Sequence, residues 1–415
     1  MTRTRRTTGG DDSRYGWAIV AALSVTETVS WGVVYYAFAV FLQPMQRTLG
    51  VSAVELTGAF SLALLVSAGA GMVVGRWLDH GSPRLVMTAG SALAAVMVAA
   101  WSQVDSLIAV YAVWIGLGVA MAAILYEPAF VVVTKWFTVR RHQALTVLTL
   151  AGALASPIFS PLAQHLSDEL GWRDALLVLS ALLASITIPL HAGVLRRPPS
   201  IVRVSGNGPA QPIAHKRLDR RFWLLCGAFT LSTFASSAMA VHLIPMLLES
   251  GYTPALAAAL AGAVGLAQLP GRLAFSTFSR RVPGTTAAVA IFTAGAIALA
   301  VLLTSRSLPA VALFVVLMGM SNGMATLVRA TALGDLYGTQ HYGAIAGTMA
   351  AFTTTARAAA PFGAAAVALL PGHYDTALAT LATLTGLAAV AAWQAHRTNL
   401  RPMQFGAPAV EGATP

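Results

Sequence analysis

The sequence predicts an all-α polytopic membrane protein whose twelve transmembrane helices form two pseudo-symmetric six-helix bundles. Three observations predict it. First, only 10% of the 415 residues are charged and 57% are apolar, against roughly 25% and 45–50% in ordinary soluble domains. So few charges cannot solvate a water-facing surface of this size, which excludes a soluble enzyme and a disordered chain. Second, the apolar residues fall in uninterrupted runs of about 20, the length that crosses a bilayer as helix. A membrane barrel would show short alternating strands instead. Third, similar sequence marks recur about 200 residues apart. A disulfide scaffold is excluded as well, because Cys226 is the sole cysteine.

The first span is expected near 17–43. Arg3, Arg5, Arg6 and Arg14 precede it in the manner of a signal peptide, but the apolar stretch runs from Trp17 past Phe41. That exceeds an h-region of about 7–15 residues, so the span is expected to be retained. Spans two to six lie near 54–76, 84–103, 107–134, 142–166 and 173–195. The longest polar interruption follows, 196–221, with Pro198-Pro199, Gly206-Asn207-Gly208-Pro209 and the basic cluster Lys216, Arg217, Arg220 and Arg221. Its composition is that of a solvated linker. Spans seven to twelve lie near 222–249, 254–277, 285–304, 308–334, 342–369 and 374–395. The expected organisation is therefore a bundle over 1–195, a linker over 196–221 and a bundle over 222–415.

Three marks support the repeat. Gly50-Val51-Ser52 before span two parallels Gly251-Tyr252-Thr253 before span eight. Gly116-Leu117-Gly118 in span four parallels Gly319-Met320-Ser321 in span ten, and Arg141-His142 opening span five parallels His341-Tyr342 opening span eleven. A duplicated six-helix unit is how many secondary transporters are built. Orientation follows from counting Lys and Arg by side: 20 lie with the termini and only Arg47, Arg173 and Arg306 lie opposite. The positive-inside rule then places both termini in the cytoplasm, with the chain in the cytoplasmic membrane. The net charge of +11 is explained by these loops, without a nucleic-acid partner.

Between spans two and three the chain reads Gly75-Arg76-Trp77-Leu78-Asp79-His80-Gly81-Ser82-Pro83-Arg84. Here it resembles the major facilitator superfamily, whose loop signature is Gly-x-Leu-x-Asp-Arg-x-Gly-x-Arg. Gly75, Asp79 and Arg84 match; Trp77, His80 and Ser82 replace Leu, Arg and Gly. The resemblance, over residues 15 to about 396, implies a conformational latch at Gly75, Asp79 and Arg84. Tyr15-Gly16-Trp17, Trp136-Phe137 with Arg140-Arg141, and Gly171-Trp172-Arg173 look like the monocarboxylate-porter and oxalate–formate antiporter branch.

Five ionisable residues fall inside predicted spans: Glu27, Glu127, Arg272, Arg329 and Arg357. Each charge at mid-membrane depth costs about 2.5–3.5 kcal/mol on insertion scales, so such residues face a partner or a wet cavity. Three cations against two carboxylates leave a positive excess that attracts anions. Arg357 is the deepest, with Thr353 and Thr354 on its own helical face. Arg272 follows Pro270-Gly271, with Gln268 one turn above. The branch resembled uses an Arg in span eight to hold substrate carboxylate, and oxalate carriers pair it with a cation in span eleven; Arg272 and Arg357 match that arrangement. Gln268 stands where monocarboxylate porters place Asp, and Tyr36 where they place Lys, so the resemblance does not carry their proton route over.

Arg329 shares a face with Asn322, and both snorkelling to the interface and a role in binding or gating fit it. By the repeat offset it falls beside Glu127, and a bridge between them would close the cytoplasmic entrance. Ser24, Glu27, Trp31 and Tyr35 recur at spacings of three and four, a polar-aromatic face that suits a cavity or core packing equally. His242 is open to a proton role or a structural one. Gly71 and Gly75 read as close helix packing, and Pro157, Pro161, Pro270 and Pro361 as bends.

The resulting expectation is a secondary transporter of a small organic anion, a mono- or dicarboxylate, by symport or antiport, working as a monomer in the lipid bilayer. Its substrate contacts would be Arg272, Arg357, Arg329, Tyr36, Glu27, Asn322 and Gln268. An exporter of amphipathic or drug-like compounds driven by proton antiport is the alternative within transport, and a transporter-like membrane sensor the alternative outside it. No phosphate-binding loop, metal-ligand cluster, catalytic set or cofactor motif is present in the sequence, so no enzyme activity is expected.

Overall fold

The computed structural model describes residues 14–137, 139–196, 218–278, 281–368 and 373–397. Among them the chain forms twelve long helices and no strand. In order these are α1 (Arg14–Leu49), α2 (Ala53–His80), α3 (Pro83–Trp101), α4 (Leu107–Trp136), α5 (Arg141–Leu170) and α6 (Trp172–Val194). They continue as α7 (Arg220–Glu249), α8 (Pro254–Phe278), α9 (Gly284–Thr304), α10 (Leu308–Tyr337), α11 (Tyr342–Ala368) and α12 (His373–Arg397). Each overlaps an expected span. Eleven are long and apolar enough to cross a membrane; α11 falls outside that set because Thr353, Thr354, Thr355 and Arg357 lower its hydropathy. Most of the expected linker, the first arginines and Arg401 lie outside the described residues.

Three helices are interrupted where function later demands it. In α4, Leu125 is extended (φ −87°, ψ −167°) between Leu107–Ile124 and Tyr126–Trp136. Pro128 has no N–H to offer the Ile124 carbonyl and its ring crowds that turn, so the helix breaks three residues earlier. In α5 the break falls at Leu154, by the same reasoning from Pro157. α8 and α11, by contrast, run unbroken through Pro270 and Pro361. α1 contains a π-helical turn, Gly32–Tyr36. Gly32 is required there: a Cβ would stand 2.1 Å from the ring of Phe159 on α5.

The two halves repeat one packing scheme. α1 packs on α5 and α6, α2 on α4, and α3 on α4 and α6; six helices later, α7 packs on α11 and α12, α8 on α10, and α9 on α10 and α12. Between halves, α2 meets α11 and α5 meets α8, as a pseudo-two-fold relation requires. The α2–α11 crossing is close because it is built from glycines. A Cβ on Gly75 would lie 2.2 Å from the Gly343 carbonyl oxygen, and one on Gly347 would lie 2.7 Å from that of Gly71.

The buried side chains divide into three clusters. One takes residues from both halves, including Ile19, Leu145, Leu327 and Met349, at the face that carries the first residues of α1 and the last of α12, hereafter the terminal face. A second belongs to the N-terminal half, with Phe41, Trp101 and Trp114, and draws only Ala358 from the other half. The third belongs to the C-terminal half alone, with Met239, Leu299 and Phe314. The halves are thus fused at the terminal face and parted at the opposite one.

Candidate substrate-binding site

Where the halves part, a cavity of about 620 Å³ opens, continuing inward into a chamber of about 240 Å³. Tyr35, Tyr36, Phe38 and Phe60 make an aromatic wall from the N-terminal half; Ser232, Ser236 and Ser237 of α7 make a hydroxyl wall from the other. The π turn in α1 directs Tyr35 and Tyr36 to this space, with ring centroids 5.2 Å apart.

Charged groups sit at the inner end. The break in α4 brings Tyr126 and Glu127 to the chamber, and Arg329 of α10 meets them from the other half. Arg329 Nη2 pairs with Glu127 Oε1 at 2.5 Å, and its Nη1 donates to Thr353 Oγ1 at 3.3 Å. The bridge expected from the repeat offset is therefore present and spans the two halves. Arg272 is buried; its Nη1 donates to the backbone carbonyl of Thr149 on α5, and its Nη2 donates to Gln268 Oε1 at 3.4 Å. Arg357 lines both the cavity and the chamber, as do Gln268 and Tyr36. No ion pair holds Arg357 among the described residues. Thr354 lines the chamber with it, and Asn322 the outer cavity.

Glu27 does not join them. It is fully buried and absent from the lining, one layer behind Trp31, whose Nε1–H donates to Glu27 Oε2 at 3.0 Å. The spacing rule grouped the two because they lie one turn apart, but α1 is packed on several sides, and of Ser24, Glu27, Trp31 and Tyr35 the last two alone line the chamber. With Glu27 withdrawn, three guanidiniums face one carboxylate, and the positive excess is two charges rather than one. His242 lies beside Tyr374, with ring centroids 6.1 Å apart, and is not among the lining residues.

At the terminal face the loop signature is only partly used as expected. Asp79 has a fully buried side chain and accepts from the backbone N–H groups of Gly343 (2.9 Å) and Ala344 (2.8 Å), capping α11 of the other half. Lys135 completes its shell at 3.1 Å and also donates to the Leu78 carbonyl at 2.7 Å. Gly75 provides the close approach one turn away. Arg84 is exposed and forms no ion pair with Asp79 among the described residues; the cation beside Asp79 is Lys135. Sequence reading also missed the second bridge between halves, Arg141 to Asp335 at 2.8 Å. The repeat offset gave Arg329 its partner, but no comparable mark pointed from Arg141 to Asp335.

Residues 23–361 match the family described as the Major Facilitator Superfamily. The chain belongs to that superfamily. Among curated relatives it is similar to Monocarboxylate transporter 13 of Rattus norvegicus, 25% identical over 334 residues, 79% of this chain and 76% of the relative. Monocarboxylate transporter 4 of Gallus gallus is 28% identical over 241 residues, 56% of this chain and 49% of the relative. Among solved structures, the human organic anion transporter MFSD10 (TETRAN) superposes with a TM-score of 0.71 at 16% identity, covering 91% of this chain and 99% of that one. The Major Facilitator Superfamily transporter FucP, in the outward conformation, gives 0.73 at 13% identity, covering 92% and 99%. These two likenesses show the fold. The superfamily member described here is therefore a multi-pass membrane transporter.

Proposed function

We propose that this transporter moves a small organic anion, a mono- or dicarboxylate, by alternating access across the cytoplasmic membrane, with both termini in the cytoplasm. The observation that carries the reading is the chamber where Arg272, Arg329 and Arg357 face a single carboxylate, Glu127. Two uncompensated positive charges in a poorly hydrated space favour an anion, and each guanidinium presents a planar fork that fits a carboxylate. The names of the curated relatives agree with that class.

In this reading Arg357 is the principal anchor, because it lines both chambers without an ion-pair partner, and Arg272 assists from the floor. Arg329, Tyr36, Asn322 and Gln268 complete the contacts. The halves, 1–195 and 222–415, rock as units about the site, and the terminal face is the cytoplasmic one, so the cavity opens outward. Asp79, with Gly75, latches the closed side.

Binding of L-lactate, pyruvate and oxalate to the purified chain, followed by thermal shift, tests the reading. Arg357→Lys keeps the charge and loses the fork, so it is expected to weaken binding less than Arg357→Gln. Unchanged binding of every anion in both variants would overturn it. The aromatic wall of Tyr35, Tyr36, Phe38 and Phe60 supports a second reading, an exporter of amphipathic compounds. Stabilisation by lipophilic cations, with none by the anions, would favour that reading instead.

A further inference from the structure

One buried group is left unused by the site described above. Glu27 lies in the middle of the apolar α1, fully buried, and only one of its oxygens has a partner. Oε1 has no hydrogen-bond partner, and neither do the hydroxyls of Ser24 and Ser30, three residues to either side on the same helix. No cation lies within ion-pair distance among the described residues. A buried polar group without a partner calls for a reason, and an ionisable one inside a membrane span is a functional candidate with a partner to be named.

The surroundings narrow what that partner is. From α4, Tyr126 and Glu127 face this region, and Glu127 is already taken by Arg329. α6 brings His191, whose ring nitrogens are engaged by Ser91 (2.8 Å) and Thr26 (3.0 Å). α5 is level with Glu27 near Ala151, whose carbonyl accepts from Thr28 Oγ1 at 2.8 Å. The ionisable residues of that helix, Arg141, His142, His165, Asp168 and Glu169, all lie towards its ends. Arg272 of α8 is bound to the Thr149 carbonyl, which the Tyr126 hydroxyl also approaches, and forms no ion pair with Glu27. No side chain is therefore available to neutralise Glu27 by pairing.

We propose that Glu27 is the proton-binding site of this transporter, taking up one proton with each substrate anion. The proposal rests on the anion reading and supplies its coupling ion. The atoms divide the task. The Trp31 indole only donates, so it holds Oε2 as an acceptor in both protonation states. Oε1 is the atom that gains the proton, and the Ser24 and Ser30 hydroxyls are the acceptors within the same helix face. The step is Glu27 carboxylate plus a proton giving the carboxylic acid, reversed on the other side of the membrane, with no other bond changed.

Access runs past Trp31. Its ring forms the single layer between Glu27 and the chamber, packed against Tyr35 at 5.0 Å and Tyr126 at 5.1 Å. The π turn begins at the next residue, Gly32, and such turns are frequent at functional sites. A small change there re-aims Trp31 and opens Glu27 to the chamber. Coupling is electrostatic and reciprocal: an anion in the chamber favours the proton on Glu27, and the proton favours the anion by the same factor.

Proteoliposomes holding the full chain, with radiolabelled L-lactate as probe, read the coupling. An inward proton gradient is expected to accelerate uptake several-fold in the wild type. In Glu27→Gln that acceleration is lost, while lactate exchange at equal pH persists at a lowered rate; Glu27→Asp keeps the acceleration. A substrate-free measurement runs beside it: the infrared difference between acid and alkaline buffer, in which a protonated-carboxyl stretch is present in wild type and absent in Glu27→Gln. Should Glu27→Gln not fold, Ser24→Ala with Ser30→Ala is expected to shift the midpoint of that band. A Gln variant that still answers the gradient, or an unchanged band, overturns the proposal. Should the wild type move neither lactate, pyruvate nor oxalate, the anion reading fails, and the band alone decides whether Glu27 is the proton site.

Discussion

Single residues account for most of what the sequence concealed or disclosed about the site. Arg272 and Arg357 were legible because charge in an apolar run is costly, and the structure places both at the chamber. Glu27 was legible as a charge but not in its direction, since a spacing of four residues cannot tell which side of a helix its neighbours cover. Asp79 was legible by its loop, whereas its true partners, Lys135 and two backbone N–H groups of α11, come from far along the chain. The difference is testable. Asp79→Asn removes the charge that holds both Lys135 and the start of α11, so transport is expected to slow severalfold with equilibrium substrate binding nearly intact. Arg84→Gln, altering an exposed side chain, is expected to leave both unchanged. Uptake rates set beside binding isotherms for the two variants check this.

At the scale of elements, every helix was anticipated, because a twenty-residue apolar run has few other fates in this composition. Of the interruptions, the one in α5 was, as a bend at Pro157; those in α4 and α1 were not. Pro128 carried a local signal for the break in α4. The π turn in α1 has no local signal at all: it exists because Gly32 must pass the ring of Phe159, a contact 127 positions away in sequence. The α2–α11 crossing yields a prediction of its own. Its glycines admit no side chain, and overpacking a close contact costs roughly 1–3 kcal/mol. Gly75→Val is therefore expected to weaken the closed terminal face specifically. Cysteines at Leu78 and Ala346, in a Cys226→Ala background, should then become reactive to alkylating reagents in Gly75→Val while remaining protected with Gly75. Equal protection in both would show that the crossing tolerates the added methyls.

The whole molecule is a joint closed on one side. Both halves contribute to one buried cluster at the terminal face, and each keeps its own at the other. If the terminal face is cytoplasmic, a cysteine at Ser237, on the hydroxyl wall, is expected to react with a membrane-impermeant maleimide applied to intact cells in the Cys226→Ala background. A cysteine at Ala346, inside the shared cluster, should not. Protection of the first in intact cells, with reaction once the membrane is permeabilised, would reverse the orientation.

The shared cluster also has a thermodynamic consequence for measured affinities. A ligand reaching the site from the parted side meets the conformation described here with its cavity already open. A ligand arriving from the fused side first requires that cluster to separate, and its apparent dissociation constant is raised in proportion to the rarity of the opened state. If the terminal face is cytoplasmic, the same chamber, with the same guanidiniums, should therefore show a tight half-saturation in right-side-out vesicles and a weak one in inverted vesicles. Such directional asymmetry would be a property of the resting population, with the binding contacts themselves unchanged.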